Sequence, residues 1–354
     1  MLVGARILLS GATGRLGRCL AAELARGGSE LVLVVRASSP EAARERVRLA
    51  LPSDVNPRHV TALCGDVTEP GLGLGARERA RLRTSLDLVV HAAATTSFSV
   101  ALEMARSTNV EATRNVLAFA ERVPGLGRIA HVSTAFVAGK RTGSVLEADL
   151  EHDYGFQNAY QQSKYEAELL VRLYRDVLPV AVFRPSIVLE GSDPGVPQQR
   201  SAFRFALELV KKGFLPALPG SGSTPVDLVT EGDAARAIAN LLFQPGEAMT
   251  YHIAGGDRSP TLGSIVEPFR DVRYLGVEQF AWEVSKWRHE KPRFAGLYDE
   301  LESFIYELAY PKVFDTTRTE AGLGGPVTSE DPLAALLGEG QAVAGRARLG
   351  ARRP

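Results

Sequence analysis

Cysteine is nearly absent. Two thiols, Cys19 and Cys64, in 354 residues cannot build a disulfide framework or, by themselves, a zinc site. Excess charge is absent as well. Lys+Arg and Asp+Glu each number 41, so the formal net charge is zero, which argues against nucleic acid or an anionic membrane surface as the main partner. No run approaches the ~20 apolar residues of a membrane span. The opening MLVGARILLSGATG lacks the charged start and long apolar core of a secretory signal. No fixed period repeats. These absences lead us to expect a protein of the reducing cytoplasm, with no metal, no nucleic-acid partner and no membrane span. What remains is ordinary: 45% hydrophobic and 23% charged residues, enough for one large α/β domain or one with a smaller appendage.

The first half alternates short β-branched runs with amphipathic stretches. Strand-like runs fall at 6–10, 30–35, 59–63, 87–91, 129–133 and 180–183, and helical spacing at 16–26, 41–50, 76–83, 110–122 and 160–176. Near-continuous apolar strands separated by helices imply a doubly wound parallel sheet covered on both faces, with ligands beyond the carboxyl ends of its strands. After Arg184 the alternation loosens. Residues 191–198 read as a Gly/Pro loop, 201–212 and 232–243 as helices, 249–253 as a strand and 282–310 as an aromatic-rich helical stretch. The expected division is a nucleotide-binding domain over 1–184, a partly helical substrate lobe over 185–335 with segments returning to the first domain, and a flexible tail over 336–354.

Strand, tight turn and helix start coincide in Ile7-Leu8-Leu9-Ser10-Gly11-Ala12-Thr13-Gly14-Arg15-Leu16-Gly17. Gly11 suits the turn, Gly14 lets backbone approach a pyrophosphate, and Gly17 lets the helix pack on the sheet. The helix N-terminus then offers free N–H groups and a positive dipole to phosphate. The second strand exits at Arg36 and Ala37, where an NAD site usually carries an acid. An arginine there pairs with the 2′-phosphate of NADPH, and Arg15 is a second candidate for that contact. Asp66 and Val67 follow the third strand, where the carboxylate either meets the adenine amino group or makes a simple turn. Ala92, Ala93 and Ala94 follow the fourth strand and leave room for a dinucleotide. His91 is expected to pack rather than react.

The fifth strand ends in Ser133-Thr134-Ala135, and Tyr160-Gln161-Gln162-Ser163-Lys164 opens a helix. Tyr160 and Lys164, at i and i+4, share a helix face. An ammonium beside a phenol lowers the phenol's pKa, and a hydroxyl at a strand end holds a substrate oxygen next to it. Alternatively, these are a surface tyrosine and lysine on an amphipathic helix.

With these motifs the chain resembles the extended short-chain dehydrogenase/reductases, a Rossmann-fold family. The resemblance implies that Thr134, Tyr160 and Lys164 are catalytic. It also implies that Asn109 supports a proton-relay water near the lysine, with an N-cap for the helix of 110–122 as the alternative. It further implies that Pro185, Ser186 and Ile187 line the nicotinamide. Val35-Arg36-Ala37 followed by Ala43-Arg44-Glu45-Arg46-Val47, Gly65-Asp66-Val67 with Gly71-Leu72-Gly73-Leu74, the stretches 156–168 and 183–195, Val226-Asp227 and Pro311-Lys312-Val313-Phe314-Asp315 are similar to the thioester reductase and fatty acyl-CoA reductase branch. Arg15 departs from it, since that branch commonly has an aromatic there. The chain also carries no adenylation domain, carrier domain or long membrane-associated end. The implied activity is NADPH-dependent reduction of an acyl thioester, on coenzyme A or an acyl carrier protein, to aldehyde or alcohol. The rivals are an extended dehydrogenase or epimerase acting on an alcohol, ketone or nucleotide sugar, and a non-catalytic NADP-sensing module.

Other candidates have bland readings. Cys19 and Cys64 are expected to be structural. Thr230-Glu231-Gly232-Asp233 is a capping box. Glu147, Asp149, Glu151, His152 and Asp153 read as a solvated acidic loop, and Arg77, Arg79, Arg81 and Arg83 as a solvated helix face. Phe203, Phe205, Leu207, Leu209, Phe294, Leu297 and Leu301 are expected to wall an acyl cavity. Trp282, Trp287, Phe304 and Tyr306 either join that wall or fill the core.

Overall fold

The computed structural model describes residues 4–190, 202–215, 217–244, 249–269, 271–292 and 304–328, with 296, 298, 302, 334 and 336 besides. The loop expected at 191–198, most of the tail expected at 336–354, and Phe294, Leu297 and Leu301 lie outside the described residues.

The chain opens as β1 (Arg6–Ser10), α1 (Arg15–Arg26), β2 (Glu30–Val35), α2 (Pro40–Ala50), β3 (Val60–Cys64), α3 (Ala76–Arg83) and β4 (Leu88–His91). Next come α4 (Leu102–Arg106), α5 (Ala112–Ala120), β5 (Arg128–Val132), β6 (Gly143–Val145), α6 (Ala159–Leu173) and β7 (Val180–Pro185). Successive strand residues point to opposite faces, so β1 feeds two cores. Ile7 and Leu9 pack with Leu20 and Leu24 of α1, while Leu8 joins Val32, Val89, Val116 of α5 and Val171 of α6. Both faces are buried, which is why these strands read as apolar runs rather than as alternation.

Beyond β7 lie β8 (Ile187–Leu189), α7 (Ala202–Lys211), β9 (Ala217–Pro219), β10 (Leu228–Thr230), α8 (Glu231–Leu242) and β11 (Thr250–Ile253). The chain continues through α9 (Leu262–Val266), β12 (Arg273–Leu275), α10 (Val277–Glu290), β13 (Lys312–Phe314) and α11 (Thr317–Leu323). Seven strands form one sheet in the order β11-β7-β5-β4-β1-β2-β3, every pairing parallel. The late strand β11 is therefore one edge and β3 the other. The remaining strands pair in twos: β8 with β10, β9 with β12, β6 with β13. The aromatic stretch 282–310 is not one helix. α10 begins before it and ends at Glu290, and Tyr306–Ala309 is a 3₁₀ turn. A third core, with Phe203, Leu207, Leu209, Trp287 and Phe304, fills the region of α7 and α10.

Candidate active site

The phosphate loop depends on two glycines. Gly11 has φ +80°, and a Cβ there would lie 2.5 Å from the Ala92 carbonyl carbon; a Cβ on Gly17 would lie 2.0 Å from the Gly11 oxygen. Gly14 caps α1 without a side-chain bond, so the first-turn N–H groups of Arg15, Leu16 and Gly17 are left for an external anion. This cradle fits a dinucleotide's pyrophosphate. Ala92 donates its N–H to the Ser10 carbonyl at 3.2 Å, which lays the small residues 92–94 alongside the loop.

At the exit of β2, Arg36 is exposed. Arg46 of α2 donates to the Arg36 carbonyl and reaches the Thr13 hydroxyl at 3.4 Å. The Arg46 guanidinium and the Thr13 hydroxyl thus meet at the strand exit that carries Arg36. Sequence reasoning named Arg46 only within a stretch similar to the reductase branch and gave it no cofactor contact. Its signal was helix phase: it flanks the buried face of Ala43 and Val47, and helical side chains lean toward the N-terminus. Arg15 is turned elsewhere, donating to Glu231 at 2.7 Å and to the Val188 carbonyl at 3.3 Å. Asp66 makes the turn, its Oδ1 accepting from the Thr68 N–H (2.9 Å) and hydroxyl (2.7 Å). The Val67 carbonyl accepts from Asn115 at 3.0 Å. Ser186 donates its N–H to Ile253 at 3.1 Å and Ile187 to Asp227 at 3.3 Å, tying the segment after Pro185 to β11 and β10.

Asn158 caps α6 by accepting from the Gln161 N–H at 3.0 Å, which fixes Tyr160 in the first turn and Lys164 in the second. The Thr134 hydroxyl lies near the Tyr160 phenol and favours its ionised form; it accepts from the Phe136 N–H at 3.3 Å and donates to the Pro185 carbonyl at 3.4 Å. The structure therefore brings Thr134, Tyr160 and Pro185 to one place. Lys164 is buried and donates to the Val132 carbonyl at 2.8 Å. One expectation is corrected here. Burial pushes the Tyr160 phenol up rather than down, opposed by the Thr134 hydroxyl near it. The Lys164 ammonium gives one of its three protons to a strand carbonyl, and burial brings it down to about 8, with Glu168 opposing.

Asn109 is not an N-cap. It sits inside a π turn, Ser107–Glu111, that runs α4 into α5. Its Oδ1 accepts from the Thr95 N–H at 2.8 Å, which fixes the amide orientation, and its Nδ2 donates to the Thr95 carbonyl (3.2 Å) and to Ser163 (2.8 Å). The Asn109 carbonyl accepts from Thr113 at 2.6 Å. The Thr113 proton being spent, His91 Nε2 must donate to Thr113 (3.1 Å), and Ser10 must donate to His91 Nδ1 (2.7 Å). Ser163 in turn donates to the Tyr160 carbonyl at 3.0 Å. An oriented chain therefore joins Ser10, which precedes Gly11, to the backbone of Tyr160. His91 is neutral within it, burial holding it down at about 3, in keeping with a packing role.

A second buried network fixes α6 from behind. Ser133 donates to Glu168 at 2.6 Å, and Arg184 donates to Glu168 at 2.9 Å and to His252 Nε2 at 3.3 Å. Glu147 accepts from the N–H of His252 (3.0 Å) and of Arg318 (2.7 Å) and from the Thr319 hydroxyl (2.6 Å). Glu147 is thus a buried anchor, not part of a solvated loop. Asp149 pairs with Arg141 at 2.7 Å and His152 meets the Val137 carbonyl at 2.7 Å. Thr230 does cap α8, accepting from the Asp233 N–H at 3.0 Å. Among the described residues no group of three or more His, Cys, Asp or Glu is placed to hold a metal, and no helix is long and apolar enough to cross a membrane.

Phe98, missed by sequence reasoning, lies edge-on to Tyr160 with ring centroids 5.7 Å apart. Phe304 stacks behind it at 5.9 Å and Phe203 behind that at 6.0 Å. Phe203, Leu207 and Leu209 fill the core rather than wall a cavity, as do Trp287 and Phe304. Phe205 and Tyr306 pack against that core, and Trp282 is exposed.

Comparison with known proteins places this arrangement. The NAD-binding domain described as Male sterility protein matches residues 9–238. The chain is 30% identical over 336 residues to isonitrile lipopeptide synthase of Streptomyces coeruleorubidus, covering 89% of this chain and 21% of that protein. It is 29% identical over 220 residues to fatty acyl-CoA reductase wat of Drosophila melanogaster, covering 52% of this chain and 43% of that protein. It thus spans less than half the length of either relative. The terminal R domain from the myxalamid PKS-NRPS pathway superposes with a TM-score of 0.79 at 26% identity, over 98% of this chain and 92% of that one. The reductase (R) domain of a nonribosomal peptide synthetase from Mycobacterium tuberculosis shares the fold, with a TM-score of 0.69 at 24% identity over 98% and 93%. The glycine cradle, the Thr-Tyr-Lys arrangement and these likenesses agree: the chain belongs to the Male sterility NAD-binding family of extended short-chain dehydrogenase/reductases, NAD(P)-binding reductases related to fatty acyl-CoA reductases and to the reductase domains of peptide and polyketide synthases.

Proposed function

We propose that this protein is an NADPH-dependent reductase of acyl thioesters. The observation that carries this reading is the apolar face that half-buried Phe98 presents to Tyr160, backed by the core residues Phe304 and Phe203. An acyl chain leaving the reacting carbonyl needs such a wall, whereas a nucleotide sugar needs converging polar and charged groups. NADPH over NADH is supported by Arg36 and Arg46 near Thr13, with no acid at the end of β2. Residues 1–184 would hold the cofactor, with Asp66 toward the adenine and Pro185, Ser186 and Ile187 toward the nicotinamide; residues 185–335 would hold the substrate. A carrier protein or coenzyme A would present the thioester.

When bound, NADPH supplies the hydride that adds to the thioester carbonyl carbon. The chain's own residues do the rest. Thr134 and Tyr160 offer two adjacent hydroxyls to the carbonyl oxygen as negative charge develops there. Burial keeps the Tyr160 phenol protonated at neutral pH, the state a proton donor needs, and Tyr160 gives that proton to the oxygen. Lys164 holds the nicotinamide ribose and steadies the phenolate left behind, while Asn109 secures the helix turn through Ser163. Collapse of the hemithioacetal releases thiol and aldehyde, and a second reduction gives alcohol. The test is to follow NADPH loss with a panel of acyl thioesters, ketones and UDP-sugars. Turnover of thioesters with thiol release is expected; turnover confined to ketones or sugars would overturn the reading.

A further inference from the structure

Five charged side chains from four parts of the chain form a ladder beside the phosphate loop. Arg15 and Arg18 of α1 share Glu231, the first residue of α8, at 2.7 and 3.1 Å. Arg15 also lies 3.9 Å from Glu190, just beyond β8. Glu190 accepts from Arg204 of α7 at 3.1 Å. The order is Arg18–Glu231–Arg15–Glu190–Arg204, three cations against two carboxylates. The Glu231 and Glu190 side chains are 2% and 3% exposed, whereas that of Arg15 is 29% exposed.

A buried carboxylate stripped of its partner is strongly destabilising. Here each carboxylate has an arginine of its own, Arg18 or Arg204. Arg15 is the cation that both share, and it can be drawn away without stranding either. It is also the first residue of the helix whose dipole and free N–H groups attract phosphate. An anion at that terminus competes with Glu231 and Glu190 for the Arg15 guanidinium.

We infer that Arg15 is a cofactor-responsive link between the phosphate loop and α7, and that Glu190 and Arg204 act through it as positioning residues that set dinucleotide affinity. The inference rests on the cleft being a dinucleotide site. Glu190 holds Arg15 back from the pyrophosphate. Arg204 satisfies Glu190 and so releases Arg15. Removing the two should therefore have opposite effects, which loss of structure alone would not produce.

The experiment measures NADPH and NADH dissociation constants by nicotinamide fluorescence, without substrate. The proteins are wild type, Arg15→Gln, Glu190→Gln, Arg204→Gln, and the last two each combined with Arg15→Gln. Arg15→Gln should weaken both cofactors about tenfold, the worth of one charge-assisted contact. Glu190→Gln should tighten both about two- to fivefold and Arg204→Gln weaken both about two- to fivefold, as befits a partly exposed pair. Both effects should vanish without Arg15. The inference is overturned if Glu190→Gln and Arg204→Gln weaken binding alike, or if their effects persist in the Arg15→Gln background. Should Glu190→Gln not fold, Arg204→Gln with and without Arg15 decides alone. A wild type that binds neither cofactor overturns the dinucleotide reading itself, an outcome distinct from binding without the opposed signs.

Discussion

Strands β1, β2, β4, β5 and β7 lie side by side in one sheet and present a ligand with backbone: helix-end N–H groups, glycine Cα atoms and three alanines. Strands β8, β9, β10 and β12 are each three residues long, pair in twos across the later part of the chain and share a core with Phe203 and Phe304. The face they support at Tyr160 is made of side chains, with Phe98 in front and Phe304 and Phe203 behind. On the proposed reading, the cofactor end is fixed by what main chain must do to bury itself, and the substrate end by which apolar side chains fill the gap. Substitutions should change specificity at the second far more readily than at the first, where a Cβ has nowhere to go.

Tyr160→Phe should have the largest effect. The ring still packs against Phe98, so NADPH binding should be unchanged, but without the proton donor turnover should fall by ~100-fold or more. Steady-state rates beside a fluorescence titration check it, and a near-normal kcat would remove Tyr160 from the mechanism. Next, Arg46→Gln and Arg36→Asp should each weaken NADPH on the order of tenfold, the loss of one charge-assisted phosphate contact, and leave NADH nearly unaffected. Equal losses for both cofactors would move the two arginines away from the 2′-phosphate. Third, the Lys164 ammonium, held down at about 8, should lose its proton as pH rises through that value. Activity should then fall on the alkaline side. Glu168 raises this pKa, so Glu168→Gln should move the alkaline limb to lower pH, read from a pH–rate profile. The smallest effect belongs to the substrate end. Phe98→Ala should lower kcat/KM for a long-chain acyl thioester by about fivefold, with little change for a short one and none in NADPH affinity.

The same contrast decides what was legible. Where a strand or helix is long enough to carry a period, its residues announce it: 6–10, 30–35 and 76–83 match the observed elements end to end, and the glycine spacing located the cradle. Phe98 carries no period, because it lies in the loop after β4 and acquires meaning only when Phe304 arrives from far down the chain. Glu147 looked solvated because four further charged or polar residues surround it in sequence. Its partners, His252, Arg318 and Thr319, are brought by β11 and α11. The N-cap reading of Asn109 failed because α4 runs through a π turn into α5 with no break to cap. Phe203, Leu207 and Leu209 were assigned to a ligand cavity when a core of their own required them.

The neutral imidazoles under the sheet have a consequence for survival in acid. His91 and His252 are held at about 3 and His131 is held well below its ordinary value, all by burial. In the unfolded chain each would take a proton near pH 6.5. A depressed folded pKa contributes stability that is whole above the unfolded value and drains away as pH falls. Between pH 6.5 and about 3, unfolding therefore absorbs protons, approaching three for these side chains together. Through these side chains acidification should destabilise the fold, opposed by the buried carboxyls of Glu147, Asp227 and Glu307, which burial pushes up, and each histidine replaced by a well-packed neutral residue should remove up to one proton from the steepness of that acid dependence.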